Sequence, residues 1–271
     1  MERLITQPGP VELQAIHSAD WTVPLAGALN LKSPQAVQAG LKDRDEPIQI
    51  FAYVLKHPTR GNFIVDTGVS QKVVEQPAAY GLNWLLQKVL RLELLKPRQT
   101  TSAALAPLGG KLSGVFFTHL HVDHILGLPD IANDVPLYIG AMETHESTLN
   151  NMFVRGATDR LLEGKGALQE WRFQPDPEQK FEGIVDVFED GSVFAIQIPG
   201  HTLGSTAFLI RTTKGPVLLT GDACITRWGW DHGVEPGDFT SDHTRNLQSL
   251  AAMKALVARH PNIEVRLGHQ H

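Results

Sequence analysis

One cysteine, three tyrosines and four methionines occur in 271 residues, and each scarcity narrows what the chain can be. With Cys224 alone, no internal disulfide framework can form, so a reducing compartment suits the protein and the thiol reads as a small buried filler. No stretch approaches the ~20 consecutive apolar residues of a membrane-spanning helix. Residues 1–20 lack the uninterrupted apolar segment of a secretory leader. The expected location is therefore cytoplasmic, with no membrane partner. Positive charge is also short: 24 Lys and Arg against 29 Asp and Glu leave a net charge of -5, which offers no basic footprint for a nucleic-acid partner. No low-complexity tract, charge run or linker divides the chain, and a single domain over residues 1–271 is expected.

Apolar periodicity supplies the outline. Residues 48–55 and 63–66 read as a hairpin across a turn at 57–62. Residues 82–95 place apolar side chains near helical spacing, with Gln87, Lys88, Arg91 and Glu93 opposite, and Pro97 stops that run. Short strands are expected at 114–118 and 136–139, a helix over 140–166 and an irregular connection over 171–182. The last third is dense in strands, at 184–188, 192–198, 205–211 and 217–220, followed by a helix over 245–260 and a final strand at 263–267. Runs of strands with helices between and after them predict an α+β fold of two packed sheets with helices outside.

Histidine is plentiful, at twelve residues, and it is clustered. His119, His121, Asp123 and His124 put four ligand-type side chains into six residues directly after an apolar strand. Residues two apart beyond a strand point to one side, so His119 and His121 can share one ion. The turn that follows lets Asp123 and His124 face a neighbouring ion. Imidazole suits zinc and its first-row neighbours, and a carboxylate adds a hard anionic donor. A pair of histidines on a solvated loop would mean little, but four donors at this density point to metal. His201, Asp222 and His269 each stand just past a further apolar strand, next to a glycine that lets the backbone turn. Asp222, with two oxygens, can bridge two ions.

In this order and spacing the chain resembles the metallo-β-lactamase superfamily over nearly its whole length, since Asp66 in Val65-Asp66-Thr67-Gly68 also fits that family's early strand-end aspartate. The resemblance implies a four-layer αβ/βα sandwich with the site at one edge. It implies His119, His121 and His201 on one metal, Asp123, His124 and His269 on the other, Asp222 between them, and Asp66 as a support that hydrogen-bonds near the ligands. Two divalent ions are the implied cofactors, zinc by default, with iron, manganese or cobalt suited to the same donors. Ions ~3.5–4 Å apart can hold a hydroxide between them, and Asp123 is the expected catalytic proton carrier.

The segments Pro199-Gly200-His201-Thr202-Leu203-Gly204-Ser205 and Thr220-Gly221-Asp222-Ala223 are similar to those of N-acyl-homoserine-lactone lactonases, so a small-molecule lactone or ester is the expected substrate. One position departs: those enzymes commonly place a tyrosine three residues after the bridging aspartate, and here Ile225 stands there. Ile225, Trp228, Trp230 and His232 are the expected residues of the substrate pocket. Two other functions fit the donors: a thioester hydrolase of the hydroxyacylglutathione type, and a metal-binding member that holds a ligand without turning it over. The 82–95 segment reads first as a core-facing helix; an acyl-tunnel roof or a homodimer contact are the other roles its apolar stripe allows.

Overall fold

In a strand, successive side chains face opposite ways, and in this chain that alternation sorts residues into separate cores. The computed structural model describes residues 1–145 and 149–270. Among these, one sheet contains β1 (Glu12–Pro24), β2 (Asp45–His57), β3 (Gly61–Val65), β4 (Lys96–Pro97), β5 (Gly114–Phe116), β6 (Leu137–Ile139) and β7 (Leu168–Glu170), in the order β4-β1-β2-β3-β5-β6-β7. The second contains β8 (Ile184–Asp186), β9 (Val193–Gln197), β10 (Thr206–Thr212), β11 (Gly215–Leu219) and β12 (Glu264–Arg266), in the order β12-β11-β10-β9-β8. The helices are α1 (Leu25–Ala28), α2 (Pro34–Gln38), α3 (Gln71–Glu75), α4 (Trp84–Val89), α5 (Thr101–Leu105), α6 (Val122–Ile125), α7 (Leu149–Leu162), α8 (Arg227–His232) and α9 (His243–Arg259).

Phe63 and Val65 of β3 point between the sheets, where they meet Phe208 and Ile210 of β10 and Val217 and Leu219 of β11. Ile64 of β3 points the other way, into the layer that holds Leu86, Leu105 and Ile125 from the helices. Ala207, Leu209 and Leu218 face outward on the second sheet and are covered by Leu250, Met253 and Leu256 of α9. The result is helices, sheet, sheet, helices: the expected four-layer αβ/βα sandwich. Parallel pairing of β3 with β5, and of β11 with β12, brings the ends of these strands to one edge of both sheets.

Two local expectations are corrected, and the strands β1 and β7 appear where none was expected. The long strand β1 occupies a stretch with no clean alternation, because its register against β2 shifts between His17 and Ala19. That bulge flips the phase, so Ile16 and then Ala19, Trp21 and Val23 face the same core. The 82–95 helix is cut short at Val89. Arg91 takes a left-handed conformation (φ 55°), its carbonyl accepts the Trp21 indole N–H at 3.1 Å, and its guanidinium grips Asp45 at 2.6 and 2.9 Å. Tertiary contacts override the helical pattern there. The expected 140–166 helix is a turn and a 3-10 segment, Glu143–His145, followed by α7; residues 146–148 lie outside the described residues. The strand β7, which the sequence pattern leaves unmarked, extends the edge of the first sheet next to β6.

Candidate metal centre

Each donor reaches the shared edge by a short local device. After β5 the chain runs extended through His121, the N-cap of α6. His119 and His121 therefore precede the helix, and Asp123 and His124 sit in its first turn, while Val122 and Ile125 anchor that turn in the core. His201 rides the β9–β10 loop. Gly200 before it has φ 142°, and a Cβ there would lie 2.2 Å from the Asn246 backbone nitrogen of α9, so only glycine satisfies both the conformation and the close approach. Asp222 follows β11. Gly268 abuts it, since a Cβ at 268 would stand 2.1 Å from Asp222 Oδ1.

The donors gather into two sets, His119 with His121 and His201, and Asp123 with His124, Asp222 and His269; within each set the ligand atoms lie within 4.8 Å of one another. Asp222 touches both. Its Oδ2 is 3.7 Å from His201 Nε2 and 4.0 Å from His119 Nε2, and also 3.2 Å from His269 Nε2. Its Oδ1 is 3.5 Å from His124 Nε2. His269 Nε2 lies 3.2 Å from Asp123 Oδ2.

Outer partners turn the rings inward. His124 Nδ1 donates to Asp66 Oδ2 at 2.8 Å, and His269 Nδ1 donates to the Gln49 carbonyl at 2.7 Å, which leaves each Nε2 as the inward-facing atom. Asp66, at φ 52°, also accepts the Thr118 backbone N–H at 2.9 Å and its hydroxyl at 2.9 Å.

The donor set fits a divalent cation. His119 Nε2, His124 Nε2 and Asp222 Oδ1, which face one another across the cluster, are buried without a hydrogen-bond partner, an expensive arrangement for polar atoms unless something else satisfies them. The electrostatics agree. Burial, with His124, His121 and His201 alongside, pushes His119 well below the usual imidazole value. Burial and His121 take His201 down to about 3. These rings are neutral and ready to donate. Burial also opposes charge on His124, but Asp66, Asp222 and Asp123 outweigh it and hold that ring well above its usual value. The same contest, won by Asp222 and Asp123, raises His269 to about 10. Burial resists ionisation of Asp123 and Asp222 too, yet the nearby His124 and His269 hold both carboxyls below the usual range. Protons thus stand where a cation would neutralise the carboxylates.

The centre opens into a cavity of about 390 Å³. Its wall includes Trp21, Val23, Val89, Leu90, Val154, Ile225 and Phe239, with His121, Asp123, Asp222 and His269 at its floor. Among the seven donors, His121 and Asp123 are the two that are partly exposed. Of the four residues expected at this pocket, Ile225 lines it and the other three do not. Trp228 stacks on His232 with ring centroids 4.0 Å apart and packs toward Leu25, Leu29 and Val234. Trp230 is buried against the α9 side of the second sheet, under the Lys254 ammonium. The short α8 turns that face away from the centre. Trp21 and Phe239, which do form wall, carry no motif; the bulged alternation of β1 was the one available signal for Trp21. Cys224 is fully buried, and burial pushes its thiol up to about 12, so it is a filler and no nucleophile.

The sequence signature of the Metallo-beta-lactamase superfamily matches residues 45–269. The N-acyl homoserine lactonase AttM of Azorhizobium caulinodans is 26% identical over 230 residues, covering 83% of each chain. A quorum-quenching N-acyl homoserine lactone lactonase of known structure superposes with a TM-score of 0.70 at 19% identity, over 97% of this chain and 94% of that one. An N-acyl homoserine lactone hydrolase, solved with its product N-hexanoyl-L-homoserine at the catalytic metal centre, gives 0.68 at 18% identity, over 97% and 94%. Below 25% identity these structural likenesses speak for the fold.

Proposed function

The chain belongs to the metallo-beta-lactamase superfamily and is a metal-dependent hydrolase, and from that premise we propose that it opens the ring of a small lactone carrying an apolar substituent, using two divalent ions. The observation that carries this reading is the pairing of two adjoining donor sets with one cavity whose wall is mostly hydrocarbon. His119, His121 and His201 would hold one ion, Asp123, His124 and His269 the other, with Asp222 between them. Zinc suits this mixture of imidazole and carboxylate. When bound, such ions supply Lewis acidity and a nucleophile drawn from water at neutral pH.

The protein's own groups do the remaining work. The apolar wall takes the substituent, excludes bulk water and turns the ring carbonyl toward the floor. Asp123 accepts the proton of the attacking water on Oδ1, the oxygen not engaged with His269, and passes it to the ring oxygen as the C–O bond breaks. The product is the open hydroxy acid. Relatives called N-acyl homoserine lactonases support the substrate class, and Ile225 in the wall marks where this chain differs from the pattern.

Metal content measured together with turnover of lactones, aryl esters and glutathione thioesters tests the proposal. Lactone turnover with two equivalents of metal is the expected result. Turnover of glutathione thioesters alone would sink it, and tight metal uptake with no hydrolysis of any substrate would point to a binding protein.

A further inference from the structure

We propose that Glu143 is the positioning residue of the three-histidine set, a buried carboxylate that fixes where His201 stands relative to His119 and His121 and thereby governs how tightly that set holds a divalent cation. This rests on reading the donors as a metal centre and does not depend on the lactone. Glu143 is 4% exposed and sits in the 3-10 turn after β6. Its Oε1 accepts the N–H of Leu120 at 2.7 Å, the residue between His119 and His121. Its Oε2 accepts the Thr202 hydroxyl at 2.7 Å and the Gly204 N–H at 2.9 Å, both in the loop that carries His201. One side chain therefore ties a ligand loop of the first sheet to a ligand loop of the second.

The surroundings are built around that tie. A Cβ at Gly204 would stand 2.6 Å from Glu143 Cβ, and one at Gly140 would stand 1.7 Å from the Gly204 carbonyl oxygen. Thr202 is held in place by Ser205, whose Oγ accepts the Thr202 N–H at 2.9 Å and lies 2.9 Å from its hydroxyl. Asp66 stands directly behind His124 of the other set, and it also reaches His119 through the Thr118 hydroxyl. If Glu143 stops accepting, the buried Gly204 N–H and the part-buried Leu120 N–H lose their partner and the two loops are free to separate. Partners of this kind behind a ligand typically govern metal affinity about 10–100-fold.

Cobalt(II) titration of the full-length, metal-stripped protein tests this, with visible absorption and competition against a chelating indicator as readouts. Wild type is expected to take two equivalents. Glu143→Gln keeps the shape but turns one acceptor into an NH2 group that cannot receive the N–H it faces. It is expected to weaken one equivalent about 10–100-fold and leave the other unchanged. The weakened equivalent should be the one whose absorption band His201→Ala removes. Thr202→Val takes away one hydrogen bond to the carboxylate and should shift the same equivalent in the same direction by less. It serves as the test if Glu143→Gln fails to fold by circular dichroism. Folded variants that hold both equivalents as wild type does, or that weaken both equally, overturn the proposal. A wild-type protein that takes up no cobalt overturns the metal-centre reading itself, and this proposal with it.

Discussion

Asp222 stands where the two donor sets meet, and that position makes its loss different from the loss of any other donor. Asp222→Ala is expected to weaken both equivalents of metal, by more than the about 10–100-fold typical of removing a group behind a ligand, and to abolish turnover. Metal analysis beside an activity assay checks it, and full activity with one equivalent would contradict the two-ion reading. Ile225 invites the opposite experiment. It is 3% exposed and part of the helix-side core as well as the cavity wall. Ile225→Tyr should raise lactone kcat if a hydroxyl near the carbonyl is the missing aid, while overpacking costs about 1–3 kcal/mol of stability. Thermal denaturation and steady-state kinetics measure the two effects separately; an unchanged or lower kcat would show that this pocket needs no such hydroxyl. At this scale the donors were legible because each is a ligand-type side chain at the end of an apolar strand. Glu143 was not, because a lone glutamate in a helix-like stretch has no pattern, and its partners Leu120, Thr202 and Gly204 are distant in sequence.

Elements were legible where local pattern and tertiary packing agree. α9 and the strands of the second sheet fall close to their expected places. β1 did not announce itself, since a bulge shifts its alternation midway, and the 82–95 stripe concealed a left-handed break at Arg91. Both surprises meet at one contact, the Trp21 indole on the Arg91 carbonyl, which joins two walls of the cavity. Trp21→Phe keeps an aromatic side chain, though a smaller one at a buried position, and removes this hydrogen bond. It is expected to lower stability by about 1–3 kcal/mol, from the lost hydrogen bond and the void left by the smaller ring, and to raise KM for substrates with long apolar substituents more than for short ones. A denaturant titration and a series of substituent lengths test this; a KM change independent of length would mean that the contact does not shape the wall.

For the whole molecule, the order of elements, runs of strands with helices between and after them, foretold two packed sheets with helices outside. The metal-free protein should show a pH optimum that follows from its donors. His201, lowered to about 3 from an ordinary 6.5, leaves the unfolded chain with more bound protons between those values, so stability falls as pH drops through that window. His269, raised to about 10, gives the folded state the extra proton above 6.5, so stability falls again as pH climbs toward 10. The thermal midpoint without metal is expected to peak near neutrality. Adding zinc should move the optimum upward, because the ion replaces the protons on His124 and His269; melting curves across pH with and without zinc check this, and an unmoved optimum would contradict it. The two sheets also differ in when a ribosome delivers them. His119, His121, Asp123 and His124 emerge with the first sheet, whereas His201, Asp222 and His269 wait for the second. An early fragment can offer a cation only part of its grip, and the site closes when β12 docks beside β11. The full set of donors is therefore available to a cation only once the chain has been made through His269.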